Sequence, residues 1–249
     1  MTPRTRSLLS GLGVAVLLTG VLTACATVAG GTPSTAPSTS TDDDATEQEV
    51  GAAWLDGGRM IGIVTQGSST CIPTAEEATL DGSVLSVTLV DAEGDVACTS
   101  DLVPRVSLVG VPEGVDPTQN LEIEVTGDGW HGDTDLEGVP GLAGGGETDY
   151  LPSAGWTDVD GQFVILSWGS SSCVPAIENT EATSATEATS ATEITVTFAT
   201  PPDDQVCTMD MAPRGVVTSV LEVEDEDAEV FAILTGAEFD NVRIPIYPN

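Results

Sequence analysis

Gly67-Ser68-Ser69-Thr70-Cys71-Ile72-Pro73 returns later in the chain as Gly169-Ser170-Ser171-Ser172-Cys173-Val174-Pro175. Working outward, Trp54-Leu55-Asp56 stands before the first and Trp156-Thr157-Asp158 before the second, and the tryptophan-to-cysteine spacing is 17 residues in both. Downstream, Cys98-Thr99-Ser100-Asp101-Leu102-Val103-Pro104-Arg105 matches Cys207-Thr208-Met209-Asp210-Met211-Ala212-Pro213-Arg214. From that arginine to a Thr-Gly pair, Arg105 to Gly127 and Arg214 to Gly236, the distance is again equal, 22 residues. Agreement at three anchors marks an internal duplication. Each copy is one folding pattern written twice.

The pattern is strands. Met60–Thr65 and Phe163–Trp168 are short apolar runs after Asp/Gly turn residues. Val84–Val90 places Leu85, Val87 and Leu89 on one face. Leu121–Val125 alternates, and Ile194, Val196 and Phe198 alternate with polar residues. No window of helical length carries a 3.6-residue period. The expected fold is all-β: two tandem small antiparallel domains, sandwich-like or barrel-like. Domain 1 spans 50–140, a glycine-rich linker 141–149, and domain 2 150–249. Val139-Pro140 and Ile244-Pro245 read as equivalent domain ends. The copies differ mainly in a Thr/Ser/Ala/Glu low-complexity run at 180–193, read as a loop because its Thr and Ser load disfavours helix.

The copies also solve the cysteines. Setting Cys25 aside leaves four, with three possible pairings. Each copy holds two at equivalent places, so Cys71–Cys98 and Cys173–Cys207 let each copy close on itself. A single zinc on all four lacks the close Cys-x-x-Cys pairs such sites use.

Residues 1–24 read as a signal peptide: Arg4 and Arg6, an apolar stretch from Leu8 to Val21 shorter than the roughly 20 residues of a membrane span, then Leu22-Thr23-Ala24-Cys25. This ending resembles the lipobox of bacterial lipoproteins. The resemblance implies cleavage after Ala24 and a lipid on the Cys25 sulfur, with more than one acyl chain giving stable anchoring. The address is then the extracytoplasmic face of the cell membrane, in a compartment that permits disulfides. Residues 25–49, rich in Ala, Thr, Ser, Pro and Gly and then acidic, read as a disordered tether. From about residue 50 onward the duplicated GSSSC and CTxDxxPR segments resemble a group of actinobacterial lipoproteins. That resemblance implies export and duplication and brings no activity with it.

Composition removes several function classes. Of 249 residues, 40 are acidic and 6 basic, a net charge of −34; all six basic residues are arginine and there is one histidine. Such a surface repels nucleic acid. Without lysine there is no Schiff-base chemistry and no phosphate-cradling lysine loop. Cleavage at Cys25 would leave 4 Arg against 40 acids, −36.

The remaining motifs read as structural. Gly-Ser-Ser-Ser-Cys is not the Gly-x-Ser-x-Gly elbow and has no histidine in its own copy; it reads as a turn feeding a disulfide. Asp101 with Arg105 and Asp210 with Arg214 are candidate ion pairs, Asp56 and Asp158 being alternative partners; an anion-recognition arginine is the functional alternative. Trp54 and Trp156 are expected against the core edge, with glycan stacking as the alternative; Trp168 is a candidate exposed aromatic. His131 reads as a solvated loop residue. Asp133, Asp135 and Glu137, followed by Gly138, have the spacing that opens a calcium loop, although position 12 is Gly144. No other cofactor is expected. The function expected from all this is a membrane-anchored, non-catalytic binding or interaction protein. A structural envelope lipoprotein is the runner-up, and a hydrolase working through carboxylates is third.

Overall fold

The computed structural model describes residues 45–91, 94, 96–183, 192–220 and 229–249. The segment read as a signal peptide, Cys25 and most of the stretch read as a tether lie outside these residues. Among the described residues the regular structure is strand, apart from one 3-10 turn at Asp56–Gly58. No described helix is long and apolar enough to cross a membrane.

Copy 1 contains β1 (Thr46–Glu47), β2 (Gly51–Leu55), β3 (Met60–Gly67), β4 (Thr74–Ala75), β5 (Thr79–Asp81), β6 (Val84–Val90), β7 (Val103–Gly110), β8 (Leu121–Gly127) and β9 (Trp130–Leu136). Copy 2 contains β10 (Ser153–Trp156), β11 (Gln162–Gly169), β12 (Ile177–Thr183), β13 (Thr192–Phe198), β14 (Ala212–Ser219), β15 (Val230–Gly236) and β16 (Phe239–Tyr247). Copy 2 forms a single sheet in the order β12-β13-β15-β16-β10-β11-β14. Copy 1 makes the corresponding pairings in two sheets, β1-β9-β8-β6-β4 with β5 also on β6, and β2-β3-β7. The join in copy 2 is the pairing of Ala154 with Ile246 and Gly155 with Tyr247. These partners lie in the last two residues of β16, which is nine residues long where β9 is seven. In copy 1 the corresponding backbone is taken elsewhere. The Glu137 amide donates to Asn249 Oδ1 at 3.0 Å, and the Glu137 carbonyl accepts from Trp54 Nε1 at 2.8 Å.

The all-β expectation holds, with disulfides Cys71–Cys98 and Cys173–Cys207 at Cα separations of 5.5 and 5.6 Å. Each loop closure is worth about 3–4 kcal/mol in the chain-entropy account. The sheets are layered and do not close into a barrel. They are also mixed, where purely antiparallel pairing was expected: β6 runs parallel to β8, and β13 to β15. After β6 the chain crosses to pair with β3 as β7, and on returning it lies beside β6 in the same direction; β13, β14 and β15 repeat this path.

Each copy has its own core. In copy 1, Ala52, Trp54, Ile61 and Ile63 pack on Leu85, Val87, Ile123 and Val125. In copy 2, Ala154, Trp156, Phe163 and Ile165 pack on Ile194, Val196, Ala232 and Leu234. A third core forms between the copies from Ala53, Leu55, Val64 and Val106 of one and Val164 and Leu166 of the other. Strands β2, β3, β10 and β11 are therefore buried on both faces, and read as continuous apolar runs. Strands β6, β8 and β9 bury one face and alternate.

The contact between copies is reciprocal. The Asp56 amide donates to Ser153 Oγ at 2.8 Å, and the equivalent pair is Asp158 beside Gly51, where a Cβ would lie 2.7 Å from Asp158 Oδ1. The segment expected as a linker is held in place: Leu142 belongs to the first core, the Gly144 amide donates to the Gly57 carbonyl, and Thr148 Oγ1 donates to Asp56. One expectation is corrected, for the loop at 180–193; Ile244-Pro245 lies in β16, the last strand of copy 2. Thr180–Thr183 and Thr192–Glu193 extend β12 and β13, because β-branched threonines suit a ladder; the rest of the low-complexity run lies outside the described residues.

Candidate functional site

The duplicated motif builds the same cluster in both copies. Beside each disulfide, the Gly-Ser-Ser-x-Cys segment turns back on itself, Cys71 N to Ser68 O at 3.3 Å and Cys173 N to Ser170 O at 3.2 Å. The Cys-Thr-x-Asp segment closes the turn. Thr99 N donates to Thr70 Oγ1 at 3.1 Å and Ser69 N to Asp101 Oδ1 at 3.3 Å. In copy 2, Thr208 N donates to Ser172 Oγ at 3.0 Å and Ser171 N to Asp210 Oδ1 at 3.1 Å. The hydroxyls also meet, Ser68 with Thr99 at 2.8 Å and Ser170 with Thr208 at 2.7 Å. Donors converging on a carboxylate favour its charged form. Hydrogen bonds from Ser69 and then Thr99 hold Asp101 down at about 2, and those from Ser171 and then Thr208 hold Asp210 at about 2. The aspartates act as acceptors that tie a turn.

The arginines sit behind these turns and correct the expected ion pairs. Arg214 donates to the carbonyls of Cys173 and Trp168, each at 3.0 Å, and takes its carboxylate from Glu238, not from Asp210 or Asp158. Arg105 donates to the Cys71 carbonyl and, from Nε, to Thr65 Oγ1 at 3.4 Å; it pairs with neither Asp101 nor Asp56. Asp101 and Asp210 are spent on the turns, and Asp56 pairs with Arg59 at 3.1 Å. The motif glycines make room for the guanidiniums: a Cβ on Gly169 would lie 2.7 Å from Arg214 Cζ, and one on Gly67 would collide with Arg105. Gly and Arg of the two motifs are thus one device, which ties the loop carbonyl to the sheet.

Around this rigid base the disulfide loops present apolar side chains to water. Ile72 and Leu102 do so in copy 1; Val174, Val206, Met209 and Met211 do so in copy 2, with Val206 90% and Met209 fully exposed. A separate cleft of about 600 Å³ is lined from both copies, including Glu47, Glu49, Asp133, Asp158, Gln66 and Gln162. Partial desolvation pushes the Asp158 carboxyl up, and the charge of Glu49 adds to it. The cleft is hidden in the sequence because Glu47 and Glu49 fall in the polar stretch that reads as a tether, whereas β1 pairs with Trp130–His131 of β9.

The calcium expectation is overturned. Asp133 and Asp135 stand on the exposed side of β9 and Glu137 just beyond it, so the alternating strand holds the three carboxylates in a row where a calcium loop would converge them. Among the described residues no group of three or more His, Cys, Asp and Glu side chains is gathered to hold a metal. His131 is exposed as expected, but on β9, opposite Thr126. Trp54 and Trp156 are core residues. Trp168 is partly covered, packing on the shared core and edge-on to Tyr150 with ring centroids 5.1 Å apart. No protein-family model, curated protein or solved structure matches the chain.

Proposed function

We propose that this chain is an extracytoplasmic binding protein, held to the cell membrane by lipid on Cys25, that engages an envelope or extracellular partner without catalysing a reaction. The observation that carries the binding reading is the copy-2 loop: Val206, Met209 and Met211 are exposed on a segment stapled by Cys173–Cys207 and tied down by Asp210. Exposed apolar residues on a rigid loop are a contact surface in waiting, because a partner gains their burial with little ordering entropy. The anchor rests on Leu22–Cys25 and the lipobox they resemble.

The two parts are tested separately. Cys25→Ala should move the chain out of the membrane fraction and abolish labelling with a lipid precursor; retained label would refute the anchor. For binding, the full chain in detergent is used to capture envelope fractions, including peptidoglycan, beside Met209→Asp/Met211→Asp. Capture lost in the double variant, with its thermal unfolding unchanged, is the expected result. Equal capture by both would refute the loop as the surface.

A second reading, a carboxylate-based hydrolase, draws on the raised Asp158 beside Glu49 in the cleft. Under that reading Asp158→Asn would abolish a measured glycoside hydrolysis that the wild-type chain performs.

A further inference from the structure

The duplication supplies an internal comparison at the two motif arginines. In copy 2 the guanidinium of Arg214 carries a carboxylate, that of Glu238, from the hairpin between β15 and β16. Counting from the arginine, the same place in copy 1 is Gly129, in the hairpin between β8 and β9. Arg105 accordingly has no carboxylate within ion-pair distance among the described residues, whereas Arg59, Arg214 and Arg243 each have one. Nε and Nη1 of Arg105 are held by Thr65 and Cys71, which fixes the fork, and no described residue takes Nη2. Arg105 is half-buried and lines a cavity of about 290 Å³ between the copies, with Ser69 and Ile72 from its own copy and Val174, Pro175 and Ile177 from the other.

We propose that Arg105 is a binding site for a small monocarboxylate with a short apolar tail, the carboxylate taking on Arg105 the role that Glu238 plays on Arg214. A guanidinium whose orientation is already fixed loses little freedom on pairing and prefers a planar carboxylate. The apolar lining from both copies favours a hydrocarbon tail over a second charge. The net charge of −34 opposes any polyanion, which selects for a single negative charge. The site does not depend on what the copy-2 loop binds.

The test is an NMR titration of the ¹⁵N-labelled full chain with isovalerate, following the Arg105 Nε–Hε resonance, with isovaleramide at equal concentration and sodium chloride at equal ionic strength as controls. The expected result is a saturable shift with isovalerate at a Kd of about 1–10 mM. Neither control should saturate, and the response should persist in Glu238→Ala. In Arg105→Gln the saturable shifts of the Ile72 and Val174 amides should vanish. Should that variant misfold, the wild-type titration against the amide decides alone. A linear drift with isovalerate, an equal response to isovaleramide, or a response lost in Glu238→Ala would overturn the proposal.

Discussion

Leu166→Ala tests whether the two copies stand as one cooperative unit. Leu166 lies on β11, is 0% exposed, and belongs to the core shared with Ala53, Leu55, Val64 and Val106 of copy 1. Truncation removes three buried carbons, about 2.4 kcal/mol at roughly 0.8 kcal/mol per group. The unfilled space adds a further term, bringing the expected loss to about 3–4 kcal/mol. In a unit of this size that lowers Tm by roughly 6–16 °C. The assay is urea unfolding followed by circular dichroism, with native-state hydrogen exchange resolving the strands. Because both copies line this core, amides of β3 as well as β11 should lose protection, through a single transition. Leu102→Ala, at a side chain 75% exposed, is the control and should stay within about 0.5 kcal/mol of wild type. A loss below about 1 kcal/mol, or lost protection confined to copy 2, would refute the shared core and restore two independent modules.

Gly169→Ala should cost about 1–3 kcal/mol in urea unfolding, because its Cβ would lie 2.7 Å from Arg214 Cζ and displace a buried cation from its carbonyls; a neutral result would mean that Arg214 moves aside freely. Asp101 and Asp210 have folded values near 2, below the ordinary 3.8, so the stability they contribute is present above about 4 and is lost as pH falls toward 2. Asp101→Asn/Asp210→Asn should flatten that acid limb in pH-dependent unfolding, and an unchanged limb would refute the assignment. Trp54 Nε1 donates to the Glu137 carbonyl while Trp156 Nε1 is buried without a partner among the described residues, so Trp54→Phe should cost about 1 kcal/mol more than Trp156→Phe in the same assay; equal costs would count against it.

The duplication, the strands and both disulfides are legible in the sequence because each rests on local or equal-spacing information. Leu85, Val87 and Leu89 alternate because one face of β6 meets solvent, and Cys71 and Cys98 recur at the places of Cys173 and Cys207. Met60–Thr65 and Phe163–Trp168 carried one more message in the same letters. An apolar run without alternation is a strand buried twice, and the second burial is the other copy. The sequence cannot say which surface covers the second face, since any apolar partner satisfies the same pattern. Side-chain pairing is lost for a related reason. Asp101 stands four residues from Arg105 and suggests an ion pair by proximity, yet the turn of the Gly-Ser-Ser segment brings the Ser69 amide to the carboxylate first. Glu238 reaches Arg214 only because the β15–β16 hairpin folds over it, and Gly129 leaves Arg105 without that partner. Local pattern therefore determined the strands, the repeat and the covalent frame. The tertiary structure alone decided which charges meet, because a charge takes the nearest donor or acceptor in space, and nearness in space is set by the packing of distant strands.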